Sequence, residues 1–194
     1  MDPITNLAFE HRLLEKSLFS IKEYLLTDIR VSKQKELETL LNSLGNMIDK
    51  IHFTKEEELF FPVIEKIGIS YNSEPLNTLI SQHVYVRAEL IKVYRLYENS
   101  YFEALKDEIS ELFELIRAHG TLEYVVFFSI INNKLSIPQK VQLSNQFEDF
   151  VVKRIGTENY ELSKATLIKT SELLFKQEYP DNTQELQNLV KALY

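Results

Sequence analysis

His52-Phe53-Thr54-Lys55-Glu56-Glu57-Glu58-Leu59-Phe60-Phe61-Pro62 is the stretch on which the fold turns, because it sets a histidine and a carboxylate four residues apart inside an apolar helical stripe. Positions i and i+4 of an α-helix share one face, a turn apart, so the two side chains can reach a common point. The stripe extends through Leu37, Leu41, Leu44, Ile48, His52, Glu56, Leu59, Val63 and Ile67, and stops at Gly68, a residue suited to the left-handed conformation that ends a helix.

Three further runs share this alternation of threes and fours. The first occupies positions 4, 7, 11, 14, 18, 21 and 25, with His11 inside it. The third opens at Ser73-Glu74-Pro75 and passes through Leu76, Ile80, His83, Leu90 and Tyr94 to a polar break at Glu98-Asn99-Ser100. The fourth carries Leu105, Ile109, Leu112, Ile116, His119, Glu123, Val126 and Ile130, then meets Asn132-Asn133 and Pro138. The chain holds four histidines in all, so each helix contributes one to its apolar face.

Antiparallel neighbours bring two residues to one height when both are equally far from the joining turn. The midpoint of 11 and 52 falls on the break at 28–32, that of 52 and 83 at Gly68, and that of 83 and 119 just past Asn99-Ser100. The spacing therefore predicts an all-α, up-down-up-down four-helix bundle over residues 1–135 with all four imidazoles in one layer. Residues 136–194 carry no histidine. They hold one amphipathic run through Leu143, Phe147, Phe150 and Ile155, another from Leu167 to Phe175, and a short one after Tyr179-Pro180-Asp181. This C-terminal helical extension is expected to pack on the bundle or to form a subunit contact, through which a homodimer or another protein partner would join.

Composition agrees and narrows the chemistry. Four glycines and five prolines in 194 residues suit long helices rather than a turn-rich sandwich. A net charge of −7 without any basic stripe argues against nucleic acid as a partner. No cysteine is present, which excludes thiolate sites and leaves His, Asp and Glu as metal ligands. With no apolar run long enough to span a bilayer and no basic, apolar leader at Met1-Asp2-Pro3, the expectation is a protein free of membrane and cytoplasmic.

A lone histidine on an apolar face is usually a hydrogen-bonded core residue, and His-x-x-x-Glu is common by chance among 29 acids. What chance does not supply is one histidine per helix, each in the core stripe, at matched heights. Imidazoles converging in an apolar interior need partners, and a metal is the most economical one. His11, His52, Glu56, His83, His119 and Glu123 together supply four nitrogens and two carboxylates. Because a carboxylate bridges two cations, this set suits a pair of divalent ions, with iron favoured over manganese or zinc. For Glu15, Glu57 and Glu58 the expectation is a place on the surface or behind the ligands. Phe9, Phe60, Phe61, Tyr85, Tyr94 and Tyr124 are candidates either for lining access or for plain core. Arg87 is poised between pairing with a carboxylate near the site and lying on the surface.

The segments Glu10-His11, His52 to Pro62, Gln82-His83 and His119-Gly120-Thr121-Leu122-Glu123 resemble the signature of hemerythrin-like (HHE cation-binding) domains, over roughly residues 4 to 133. The resemblance implies a non-haem di-iron centre, two iron ions commonly joined by an oxo or hydroxo group. It implies His11, His52, His83 and His119 as terminal ligands, with Glu56 and Glu123 as bridges. Oxygen-carrying members have a second histidine one turn along the third helix, where this chain has Arg87, and an aspartate at i+5 where this chain has Glu123 at i+4. The four-His, two-Glu set is more similar to di-iron proteins that repair iron–sulfur centres under stress, though without their cysteine-containing N-terminal domain. The implied ligand is O2, peroxide or NO, in repair or stress defence. The alternative is an iron, oxygen or redox sensor that signals through its C-terminal helices.

Overall fold

The structure is a computed structural model that describes residues 2–27, 31–70 and 73–176, apart from the side chains of residues 129, 130 and 132. Among the described residues there are six helices and no strand: α1 (Pro3–Thr27), α2 (34–66), α3 (Glu74–Glu98), α4 (102–134), α5 (137–155) and α6 (Thr157–Leu174). The short run expected after Tyr179-Pro180-Asp181 lies outside the described residues.

Local chemistry explains the boundaries. Asp2 caps α1, its Oδ1 accepting from the backbone N–H of Ile4 at 3.0 Å and of Thr5 at 3.1 Å, with Pro3 opening the helix. Beyond α2, Gly68 takes a φ of 93°, where a side chain would be strained. The Gln139 side chain reaches back to the Ser136 N–H at 2.9 Å to start α5. A second left-handed glycine, Gly156 at φ 85°, separates α5 from α6. The last helix therefore starts at Thr157, well before the Leu167 expected from periodicity.

The helices enclose two apolar clusters. One is built from Leu14, Leu18, Ile21, Leu44, Ile48, Leu90, Leu112 and their neighbours, the other from Leu7, Phe60, Phe61, Ile64, Leu79, Phe127 and Ile131. His11, His83 and His119 fall between these clusters along α1, α3 and α4, and His52 lies at the edge of the first, between its members Ile51 and Phe53. α4 packs closely along both α1 and α3, whereas α6 lies along α1 and α2 and sends Tyr160, Leu167 and Leu174 into the first cluster.

α2 and α4 are not uniformly α-helical. Their turns widen to i→i+5 hydrogen bonding over Asn46–Phe53, Glu56–Phe60 and Glu123–Phe128, the segments that bear His52, Glu56 and Glu123. Such turns cost regular hydrogen bonding and gather at functional sites. Thr54 Oγ1 donates to the Asp49 carbonyl, five residues back, at 2.9 Å.

Leu44 is fully buried in the first cluster. Leu44→Ala is expected to lower unfolding free energy by about 2–5 kcal/mol, through lost transfer energy and the cavity left behind; a urea denaturation series measures it.

Candidate metal centre

Each of the first four helices delivers one imidazole to the same layer, and α2 and α4 add Glu56 and Glu123. All six side chains are buried, and only His11 retains a trace of exposure. Glu56 is central. Its Oε1 lies 2.9 Å from His52 Nε2 and 3.6 Å from His11 Nε2, and its Oε2 lies 3.0 Å from His83 Nε2 and 3.5 Å from His119 Nε2. Glu123 Oε2 stands 3.4 Å from His11 Nε2.

The four Nε2 atoms and both oxygens of Glu56 and of Glu123 have no hydrogen-bond partner among the described residues, although all are buried. Orphaned polar atoms of this kind are rare and costly. With donor–cation distances near about 2.1 Å, adjacent donors on one cation stand about 3 Å apart, which is the scale of this cage. Donor atoms of His11, His52, Glu56 and His119 all lie within 4.8 Å of one another. The donor set thus fits a cation, and the two oxygens of Glu56 each face a pair of imidazoles.

Electrostatics without a cation express the same crowding. Burial pushes the Glu123 carboxyl up, and the Glu56 carboxylate beside it raises it further. Glu56 is held well below the usual range: burial would raise it, but His52 and the other imidazoles outweigh that. Burial pushes His119 down to about 3. The same effect on His52 is overcome by Glu56 and Glu10, which lift it to about 9.

A ring of outer contacts orients the imidazoles. His52 Nδ1–H donates to Glu10 Oε2 at 3.0 Å, His83 Nδ1–H to Glu57 Oε1 at 2.7 Å, and His119 Nδ1–H to Gln82 Oε1 at 3.3 Å. A proton kept on Nδ1 leaves the Nε2 lone pair facing the cage. A Cβ added at Gly120 would stand 3.3 Å from both His11 Nδ1 and Glu15 Oε1, so glycine permits their close approach to α4. Arg87 reaches Glu57 with Nη1 at 2.7 Å and Nη2 at 3.1 Å, and Asp49 with Nε at 2.6 Å, bracing His83 at one remove.

Several readings of individual residues are sharpened or corrected. Glu57 turns from the apolar stripe yet holds His83, Glu15 is buried beside His11, and Glu58 is a surface residue paired with Arg154. Among the aromatics, Phe61 lies against His83, with ring centres 5.5 Å apart, and Phe60 is plain core. Tyr124 packs against Phe128. Phe9 and Tyr85 are exposed, and Tyr94, half-buried against the first cluster, bonds the Leu41 carbonyl, so these three do not wall the cage. That role falls to Phe53, stacked on His83 at 3.7 Å, and to Phe128, stacked on His11 at 6.3 Å.

Sequence reading missed the group behind His52. Glu10 and Lys55 are fully buried, Lys55 Nζ donates to Glu10 Oε1 and to Asn6 Oδ1, and Tyr160 Oη donates to Glu10 Oε1 at 2.5 Å. Burial would raise the Glu10 carboxyl, but Lys55 and His52 hold it at about 2. The available signal was a second stripe on α1, through Asn6, Glu10, Leu13, Ser17, Ser20 and Tyr24, of which Asn6, Glu10 and Ser17 bond side chains of α6.

Fold and site together define a helical-bundle protein with a buried His/Glu cluster of cation-binding character, and no described helix is long and apolar enough to cross a membrane. Residues 2–131 match the hemerythrin HHE cation-binding domain, and the chain belongs to that family. No curated protein and no solved structure matches it.

Glu56 and Glu10 raise His52 to about 9 in the cation-free cage, so loading is expected to displace a proton. Apparent cation affinity is expected to rise with pH by about tenfold per unit for each proton released, up to that value. Titration of weakly buffered protein with an indicator dye reads the release directly; uptake of protons would be the contrary result.

Proposed function

We propose that this chain is a non-haem di-iron protein that binds or reacts with O2, peroxide or NO, in the repair of iron centres or defence against stress. In this reading His11 and His52, on the Oε1 side of Glu56, and His83 and His119, on its Oε2 side, would hold the two irons together with Glu56 and Glu123. The observation that carries it is the set of eight buried Nε2 and carboxylate oxygen atoms, all turned to one place and none hydrogen-bonded among the described residues. Iron favours this nitrogen and oxygen set. When bound, the pair supplies redox electrons and a coordination position for a small ligand.

The rest is the work of the chain. Glu10, Glu57 and Gln82 keep the imidazole protons on Nδ1. Phe53, Phe61 and Phe128 pack against the imidazoles and keep bulk water from the cage. Arg87, where a fifth histidine stands in oxygen carriers, is engaged with Glu57 and Asp49, so a ligand position is left to an exogenous molecule. This supports reaction with a small species over simple oxygen carriage.

A second reading, a redox or iron sensor, draws on the Tyr160 contact, since it ties the C-terminal helix to a residue holding His52. On this division residues 1–135 form the di-iron bundle and 136–194 the helices that pass a change to a partner.

Iron analysis of the protein expressed with iron is expected to return two ions per chain, together with a near-ultraviolet charge-transfer band in the oxidised state that responds to NO or peroxide. Glu56→Ala should retain less than one ion. Fewer than one iron in the parent, with no such band, rejects the reading.

A further inference from the structure

The family match ends at residue 131, yet one hydrogen bond to the buried support of the cage comes from beyond it. We propose that Tyr160, on α6, is a positioning residue of the cation cage. Its hydroxyl, through Glu10, holds the His52 ring and sets how tightly the His11/His52 position takes its cation. The proposal rests on the two-cation reading above and adds to it a residue from outside the four bundle helices.

Four side chains close a hydrogen-bonded ring. Tyr160 Oη donates to Glu10 Oε1 at 2.5 Å and accepts from Asn6 Nδ2 at 3.5 Å. Asn6 Oδ1 accepts from Lys55 Nζ at 2.7 Å, and Lys55 Nζ donates in turn to Glu10 Oε1. The free oxygen of Glu10, Oε2, then faces His52 Nδ1 at 3.0 Å. With two donors on Oε1, the carboxylate cannot rotate without breaking a bond in a water-excluded interior, where each such bond is strong. The imidazole it holds is equally fixed.

Neither His83 nor His119 has this support. His83 leans on Glu57, which is one-third exposed and already shared with Arg87, and His119 leans on the neutral Gln82 at 3.3 Å. The two halves of the cage are therefore unequal: His52, on the Oε1 side of Glu56, is backed by a buried carboxylate in a closed network. Outer partners of this kind tune metal affinity by about 10- to 100-fold.

The hydroxyl, rather than the ring, carries the effect. Phenylalanine at 160 would keep the ring, which lies 5.4 Å from Lys55 Nζ and 4.3 Å from Lys164 Nζ. It would leave Glu10 Oε1 with Lys55 alone. A second hydrogen bond between the same two helices, Ser171 Oγ to Ser17 Oγ at 3.2 Å, has no route to the cage and serves as the control.

The test is titration of the full, cation-free chain with Co(II), followed by visible absorption and by the shifted imidazole N–H resonances. The parent is expected to take two equivalents. Tyr160→Phe should also take two, with one weakened about 10- to 100-fold and one imidazole resonance moved, while Ser171→Ala matches the parent. Glu10→Gln should weaken the same equivalent at least as much, and adding Tyr160→Phe to it should change little further. Parental affinity at both positions in Tyr160→Phe overturns the proposal, as does equal weakening by Ser171→Ala, which would make the helix a packing element only. A parent that takes fewer than two equivalents instead defeats the two-cation reading itself, and the proposal with it.

Discussion

The molecule is organised around a cost. Eight polar atoms from six side chains are buried together without hydrogen bonds among the described residues, and each such atom costs about 1–3 kcal/mol. Two apolar clusters flank the layer and supply the burial that lets the bundle carry it. A cation satisfies these atoms at once, which is why donor chemistry and packing point to the same occupant.

Glu56 is the pivot of that layer. Its oxygens each face two imidazoles, so one side chain divides the cage into two halves. The outer contacts then make the halves unlike. On one side stands Glu10, buried and clamped by Lys55 and Tyr160; on the other stand Glu57, shared with Arg87 at the surface, and the neutral Gln82. Arg87 thus supports His83 at one remove, through Glu57.

The C-terminal helix belongs to the same economy. α1 is buried on two faces, one toward the cage and one toward α6, and the small Ser17 and Ser20 on the second let α6 lie close. Lys55 can sit inside the protein because Glu10 and Asn6 meet its charge there. Helix α6 closes this network as well as covering apolar surface.

The four bundle helices, the break points at Gly68 and Asn99-Ser100, and the meeting of His11, His52, His83 and His119 in one layer were all legible in the sequence. They follow from the α-helical period and rise, which relate position in the chain to face and height without reference to neighbours. Glu10, Lys55, Phe53 and Tyr160 were not legible, because their roles depend on which helix covers which face, and periodicity names a face without naming its partner. The widened turns at His52, Glu56 and Glu123 were hidden for the same reason. Long-range packing alone decided them, since a charged Lys55 or Glu10 is tolerable in the interior only after distant residues arrive to pair with it.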